Sequence, residues 1–193
     1  MTALSKQYFL SPAEYLAQER EADFKSEYLN GMVVAMAGAK WRHNVIAGHL
    51  SRLIGNAFEN RPCIVFNSDM KVQIEKANVF RYPDVSALCG PIDFYDGEED
   101  VYCNPQFIGE VLSPSTENYD RNAKFALYRM IDTFGEYLML SQDKMEAELH
   151  RKDDERWSSD TYTDPETQIE LESIGLTLRL GDLYEKVQFP AAN

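Results

Sequence analysis

The chain has 193 residues, 44% hydrophobic and 12% aromatic, which is enough for a sizeable core and too apolar for a disordered chain. Its formal net charge of −13, from 19 Lys and Arg against 32 Asp and Glu, argues against broad, non-specific nucleic-acid binding. No apolar run approaches the roughly 18 residues of a membrane helix, and the opening MTALSKQYFLSPAEYL lacks the basic start, apolar block and cleavage site of a signal peptide.

In chain order, SPAEYLAQEREADFKS opens with Ser11, Pro12 and Glu14, a capping box with proline at the first helical position, and predicts a helix to about Lys25. YLNGMVVAMAG predicts an Asn-Gly turn and a strand ending at Gly38. In WRHNVIAGHLSRLIGNAFEN, Ile46, Leu50, Leu53 and Ala57 recur at helical spacing. CIVFNSDMKVQIEK predicts two strands around Asn67, Ser68 and Asp69. RYPDVSALCG reads as a strand with Pro83 near its start, where a proline is tolerated. The acidic stretch from Asp93 to Asp100 predicts a surface loop.

A strand over 106–112 and a helix from about Glu117 to Ile131 follow. EYLMLSQ is a further strand, and MEAELHRKDDERWSSDTYT a hairpin turning at Asp153 and Asp154. The tail predicts short strands and a terminal turn. With no repeat, low-complexity segment or linker, the order predicts one mixed α/β domain over residues 1–193. Cys63, Cys89 and Cys103 are too few and too scattered for a disulfide framework or a zinc site, so the expectation is a cytoplasmic protein with reduced thiols.

Two predicted strands each carry an acid in apolar company, Asp84 in YPDVSAL and Glu110 in FIGEVL. An unpartnered buried carboxylate costs several kcal/mol, as an order of magnitude. Convergence of two on one point is relieved by a hard divalent cation that takes oxygen ligands, such as Mg²⁺. On the next helix Asp120, Lys124 and Tyr128 lie at i, i+4 and i+8 and share a face, so Lys124 can reach back over the end of the Glu110 strand. A metal, a compact cation and a strand-end cleft suit phosphodiester hydrolysis. The bland reading is an edge acid and an i, i+4 ion pair worth a few tenths of a kcal/mol.

NGMVVAMAGAKWRHN, YPDV and EVLSPSTENYDRNAKFALYR…EYLMLSQD resemble the Uma2 family (DUF820) of endonucleases, within the PD-(D/E)xK restriction-endonuclease-like superfamily. The similarity spans roughly residues 20 to 187. It implies a restriction-endonuclease-like core, a mixed sheet flanked by helices, and cleavage of DNA with Mg²⁺, for which Mn²⁺ is a possible substitute. Pro83 and Asp84 match the PD pair and Glu110 the second acid, while Leu112 stands where the superfamily's lysine is expected; Lys124 matches the lysine supplied by the next helix. By the same analogy Asp84, Glu110 and the Val111 carbonyl hold the metal. Glu27 matches an acid just before the first strand, a candidate third carboxylate or second-metal ligand; the alternative is a solvated helix-end charge. His43 is a candidate contact to phosphate or metal, or a structural histidine.

His49 and His150 belong to no constellation, and no phosphate loop or nucleophile elbow is present. Two other readings stay open: a nuclease fold that binds without cutting, and a hydrolase of another phosphate ester. Many superfamily nucleases cut as dimers, so the resemblance allows a homodimer. Lys40 to Arg81 carries seven basic against three acidic residues, and Asp143 to Glu172 four against eleven. Part of the basic set Lys40, Arg42, Arg52, Arg61, Lys71, Lys76 and Arg81 is expected to flank the Asp84 and Glu110 cleft, with the acidic segment facing away.

Overall fold

The computed structural model describes residues 9–189. The part of the N-terminal signal-peptide reading that rests on residues 1–8 lies outside them. Among the described residues no helix is long and apolar enough to cross a membrane.

Helix α1 (Pro12–Glu21) starts as its capping box requires: the Glu14 N–H donates to Ser11 Oγ, and the Ser11 N–H donates to Glu14 Oε2 at 2.8 Å. It stops at Glu21, short of Lys25, because Ala22 turns extended and Ser26 begins a strand. Strands β1 (Ser26–Leu29) and β2 (Met32–Ala35) form a hairpin over Asn30 and Gly31. Helix α2 (Trp41–Ala57) buries the stripe Ile46, Leu50 and Ile54. Next come β3 (Cys63–Asn67), β4 (Lys71–Ile74), β5 (Val79–Arg81), β6 (Val85–Cys89), β7 (Val101–Tyr102) and β8 (Phe107–Leu112).

Helix α3 is continuous but uneven: an α turn at Glu117–Tyr119, a π turn at Asp120–Lys124 and an α turn at Phe125–Tyr128. Strands β9 (Glu136–Ser141), β10 (Ala147–Asp153), β11 (Arg156–Tyr162), β12 (Gln168–Leu171) and β13 (Leu176–Arg179) complete the strands, before a terminal turn at Leu180–Leu183.

The strands form a five-stranded sheet, β2-β1-β5-β4-β7, a six-stranded sheet, β11-β10-β9-β8-β6-β3, and the small β12-β13 pair. The architecture is thus mixed α+β, with mixed sheets flanked by helices. Strand β8 runs parallel to β9 and antiparallel to β6. Its alternation sets the two faces of the larger sheet. Phe107 and Val111 pack in one core with Ile46, Leu50 and Ile54 of α2; Ile108 and Leu112 pack in another with Phe125 and Tyr128 of α3. Gly109 is required by the first contact, since a Cβ there would stand 2.4 Å from Leu50 Cδ2.

Two segments cross between the sheets. The stretch 63–74 divides into β3 in the larger sheet and β4 in the smaller, joined at Ser68. The stretch 79–89 divides into β5 and β6 around Tyr82, Pro83 and Asp84. Proline has no N–H for the ladder, so the strand ends there and the chain is free to change sheets.

The expectation of reduced thiols is corrected: Cys63 and Cys89 form a disulfide. They are direct partners in the antiparallel β3-β6 register, a proximity that a sequence separation of 26 conceals. Cys103 is free, and burial pushes its thiol up to about 11.

Candidate active site

The crossing at Pro83 delivers Asp84 to the position just before β6, whose first residue Val85 faces Gly109 of β8. Continuing that register places Asp84 beside Glu110. The Asp84 carboxylate accepts the Val111 N–H at 2.8 Å and lies 3.1 Å from His43 Nε2 in the first turn of α2. Burial raises the cost of its charge, but the His43 contact, Lys124 and the Val111 N–H outweigh it and hold the carboxyl below its usual value.

Glu110 points to the α3 face of the sheet and is 3% exposed. Lys124 Nζ is 2.7 Å from its Oε1, and the Tyr128 hydroxyl donates to the same oxygen at 3.1 Å. Lys124 also lies 3.4 Å from Asp120 Oδ1. Burial, against the counter-pull of Lys124 and with the further push of Asp84 and Asp120, raises the Glu110 carboxyl from 4.5 to about 8. Burial opposes the charge of Lys124, yet Glu110 and Asp120 prevail and its ammonium is held protonated. The π turn spans Asp120–Lys124, the segment that presents both groups to Glu110; such turns recur at functional sites.

Asp84, His43, Glu110, Asp120 and Lys124 line one cavity of about 780 Å³ with walls from both sheets. Glu27 lies within β1, a correction to its expected place before the first strand, because Ser26–Leu29 pairs with both β2 and β5. It reaches the cavity already partnered: Oε2 accepts from Arg81 at 2.5 Å and Oε1 takes the Tyr82 N–H at 3.4 Å. Arg81, 1% exposed, also donates to the Tyr119 hydroxyl. Sequence reasoning placed Arg81 in the basic set expected in part to flank the cleft, and gave Tyr119 no site role. Only the adjacency of β1 and β5 reveals that they complete the wall.

Of the basic set expected around the cleft, Lys40 and Arg81 line it. The others lie outside that lining. Lys71 is buried against Asp100 and Tyr82, Lys76 pairs with Asp132, and Arg61 donates to the carbonyls of Gly175 and Ile174. Arg42 donates to the Gln188 carbonyl, and Arg52 lies 3.9 Å from Glu185. Lys25, outside the expected set, is a lining residue. The Asp93 to Asp100 loop is more than a solvated run, since Asp100 binds Arg20 and Lys71.

Among the described residues no three His, Cys, Asp or Glu side chains gather as a self-sufficient metal cluster. A tetrahedral Zn²⁺ centre of side-chain ligands alone would need such a cluster. The arrangement suits Mg²⁺, which keeps several waters and takes one or two carboxylates besides substrate phosphate. Asp84 and Glu110 are such a pair, all oxygen donors and neighbours in register. The donor set fits the ion.

Residues 12–181 match the Uma2 family, described as "Putative restriction endonuclease". An uncharacterized Synechocystis protein, slr1290, is 39% identical over 181 residues, covering 93% of this chain and 94% of that one. A second, sll1609, is 35% identical over 158 residues, covering 81% and 89%. A crystal structure described as a putative nuclease belonging to DUF820, from Anabaena variabilis ATCC 29413, aligns with a TM-score of 0.74 at 16% identity, covering 93% of this chain and 99% of that chain. At that identity the likeness establishes the fold.

Proposed function

We propose, since this chain belongs to the Uma2 family, that it is a metal-dependent endonuclease hydrolysing DNA phosphodiester bonds in the cavity between its two large sheets. The observation that carries the reading is the meeting of Asp84, Glu110 and Lys124 at the lip of β6 and β8. Asp84, Glu110 and the Val111 carbonyl would hold Mg²⁺ or Mn²⁺. Bound there, the ion supplies Lewis acidity towards the phosphoryl group and lowers the pKa of a nearby water.

The remaining work falls to side chains already in place. Lys124 orients the attacking water and stabilises charge on the phosphoryl oxygens; Asp120, 3.4 Å away, keeps its ammonium aimed. His43 fixes the Asp84 carboxylate, whose second restraint is the Val111 N–H. Glu27 and Arg81 act as a pair that sets the charge of the opposite wall.

The test is cleavage of a varied set of DNAs with Mg²⁺ or Mn²⁺. Wild type is expected to cut, and Asp84→Asn and Lys124→Ala to lose about 10²-fold or more. Metal-independent DNA binding without cleavage, unchanged by Lys124→Ala, would instead mark a nuclease fold that binds without cutting.

A further inference from the structure

We propose that the strand entering this cavity is unpaired DNA, with one nucleobase stacked on Trp41 and the adjoining phosphate met by Lys40. The inference rests on the nuclease reading above and names the substrate class of that site.

The first ground is the supply of cations. Four line the cavity: Lys25, Lys40, Arg81 and Lys124. Lys25 is held by Asp69 and the Ser68 carbonyl, Arg81 by Glu27, and Lys124 by Glu110. Among the described residues Lys40 alone of the four has no ion pair or side-chain hydrogen bond. A duplex carries one charge per about 1.7 Å of axis, and proteins that grip it through charge neutralise roughly six to ten phosphates. A molecule of net charge −13 with one uncommitted cation in its cleft is poorly built for that.

The second ground is what the rim offers instead. From Met32 to Ala39 there is no charged residue, and Val34 through Lys40 all line the cavity. Val34 and Met36 are exposed, and the Trp41 indole is 53% exposed at the first position of α2. Trp41 itself lies outside the cavity lining; it adjoins the lining residue Lys40 and stands two residues before His43, the lining partner of Asp84. The Arg42 guanidinium lies 5.3 Å from the ring centroid, and its Nε is held by the Gln188 carbonyl.

An exposed indole flanked by cations, with Lys40 beside it in the chain and Arg42 over its ring, is the arrangement that grips a single strand, where each stacked base contributes roughly ten- to a hundredfold in affinity. In a duplex both faces of each base are already covered by neighbours, so the indole would have nothing to stack on. Stacking thus replaces the charge that this cleft lacks.

The probe is a 5′-fluorescein single-stranded oligonucleotide of about 12 nucleotides with no self-complementarity, compared with the blunt duplex formed by annealing it to its complement. Both are titrated in Ca²⁺, which occupies oxygen sites without supporting cleavage in most such enzymes, and then in Mg²⁺ or Mn²⁺ for cutting. Wild type is expected to bind the single strand at least about tenfold more tightly than the duplex. Intrinsic fluorescence should be quenched on binding, and the quench should vanish in Trp41→Phe, since the remaining Trp157 is packed against Phe125 and Phe134. Trp41→Ala should lose roughly ten- to a hundredfold of single-strand affinity, and Trp41→Phe should keep most of it. An unchanged melting curve for both variants separates this loss from misfolding.

If the duplex is bound and cut as well as the single strand, and Trp41→Ala changes neither, the nuclease reading survives and this inference fails. If neither form is bound or cut, the nuclease reading falls and takes the inference with it. If Trp41→Ala turns a dimer into a monomer at unchanged DNA affinity, the rim belongs to a second copy of the chain, and the inference is again overturned.

Discussion

Glu110 sits at a position in β8 where an apolar side chain would carry no electrostatic cost, flanked by the buried Val111 and Ile108. Its raised carboxyl sets a direction for stability against pH. Below about 4.5 the group is protonated in both the folded and the unfolded chain. From there to about 8 the unfolded chain releases a proton that the folded state keeps, so stability falls as pH rises. The expected loss in the metal-free protein is a few kcal/mol, as an order of magnitude. Asp84 has the opposite sign in another window: its depressed carboxyl contributes stability above 3.8 that is lost as pH falls through its folded value. Melting curves from pH 5 to 9 in chelator should show the Glu110 decline, and Glu110→Gln should flatten it and melt higher at the alkaline end. Added Mg²⁺ should raise Tm more at pH 8 than at pH 6, since the ion and the proton compete for one carboxylate. Equal slopes for wild type and Glu110→Gln would show that Glu110 titrates normally. At this scale the sequence announced Asp84, Glu110 and Lys124 through motif and spacing. It placed Arg81 in the set expected in part to flank the cleft, but it did not announce Tyr119 or the pairing of Arg81 with Glu27, because these contacts join residues far apart in the chain.

At the scale of elements, periodicity located nearly every helix and strand, since alternation and the 3.6-residue repeat are local properties. Partnership is not local. The run 81–90 reads as one strand, and only its broken ladder at Pro83 leaves Arg81 in the smaller sheet and carries Val85–Cys89 into the larger. The Cys63–Cys89 disulfide was missed for the same reason, because it depends on β3 pairing with β6. Closing a loop with a separation of 26 should stabilise the fold by about 3 kcal/mol on the chain-entropy scale. A Cys63→Ser, Cys89→Ser double variant should therefore melt lower than the wild type in oxidising buffer, and the gap should close when both are measured with reductant. A gap that persists under reductant would mean that the serines themselves disturb the β3-β6 pair. Gly109 makes a second element-level prediction. With a Cβ 2.4 Å from Leu50 Cδ2, Gly109→Ala must push α2 off β8, at a cost of about 1 to 3 kcal/mol. His43 rides on α2 and Glu110 follows Gly109, so metal affinity should fall along with Tm. Paired melting and metal titration check both.

For the whole molecule, the arrangement of charge matters more than its sum. The basic residues after Trp41 looked in sequence like a DNA-facing set, but most are consumed by local acids and carbonyls: Lys71 by Asp100, Lys76 by Asp132, Arg61 by two carbonyls of the C-terminal region. Composition could not show this, because it counts charges without their partners. Among the described residues the two sheets leave one uncommitted ammonium, Lys40, at the cavity between them. DNA affinity should accordingly depend only weakly on salt. Each neutralised phosphate of a single strand contributes about 0.7 to the slope of log affinity against log salt. With Lys40 meeting one phosphate the expected slope is about −0.7, far shallower than that of a protein gripping many phosphates. Lys40→Glu should weaken binding and flatten the slope by about 0.7 or more. Arg52→Glu, at a site outside the cavity lining whose nearest acid is Glu185 at 3.9 Å, should leave both quantities unchanged. Affinity titrations from 50 to 300 mM salt separate the cases. A steep slope in the wild type, or equal losses from the two variants, would place the nucleic acid on a surface other than this cavity.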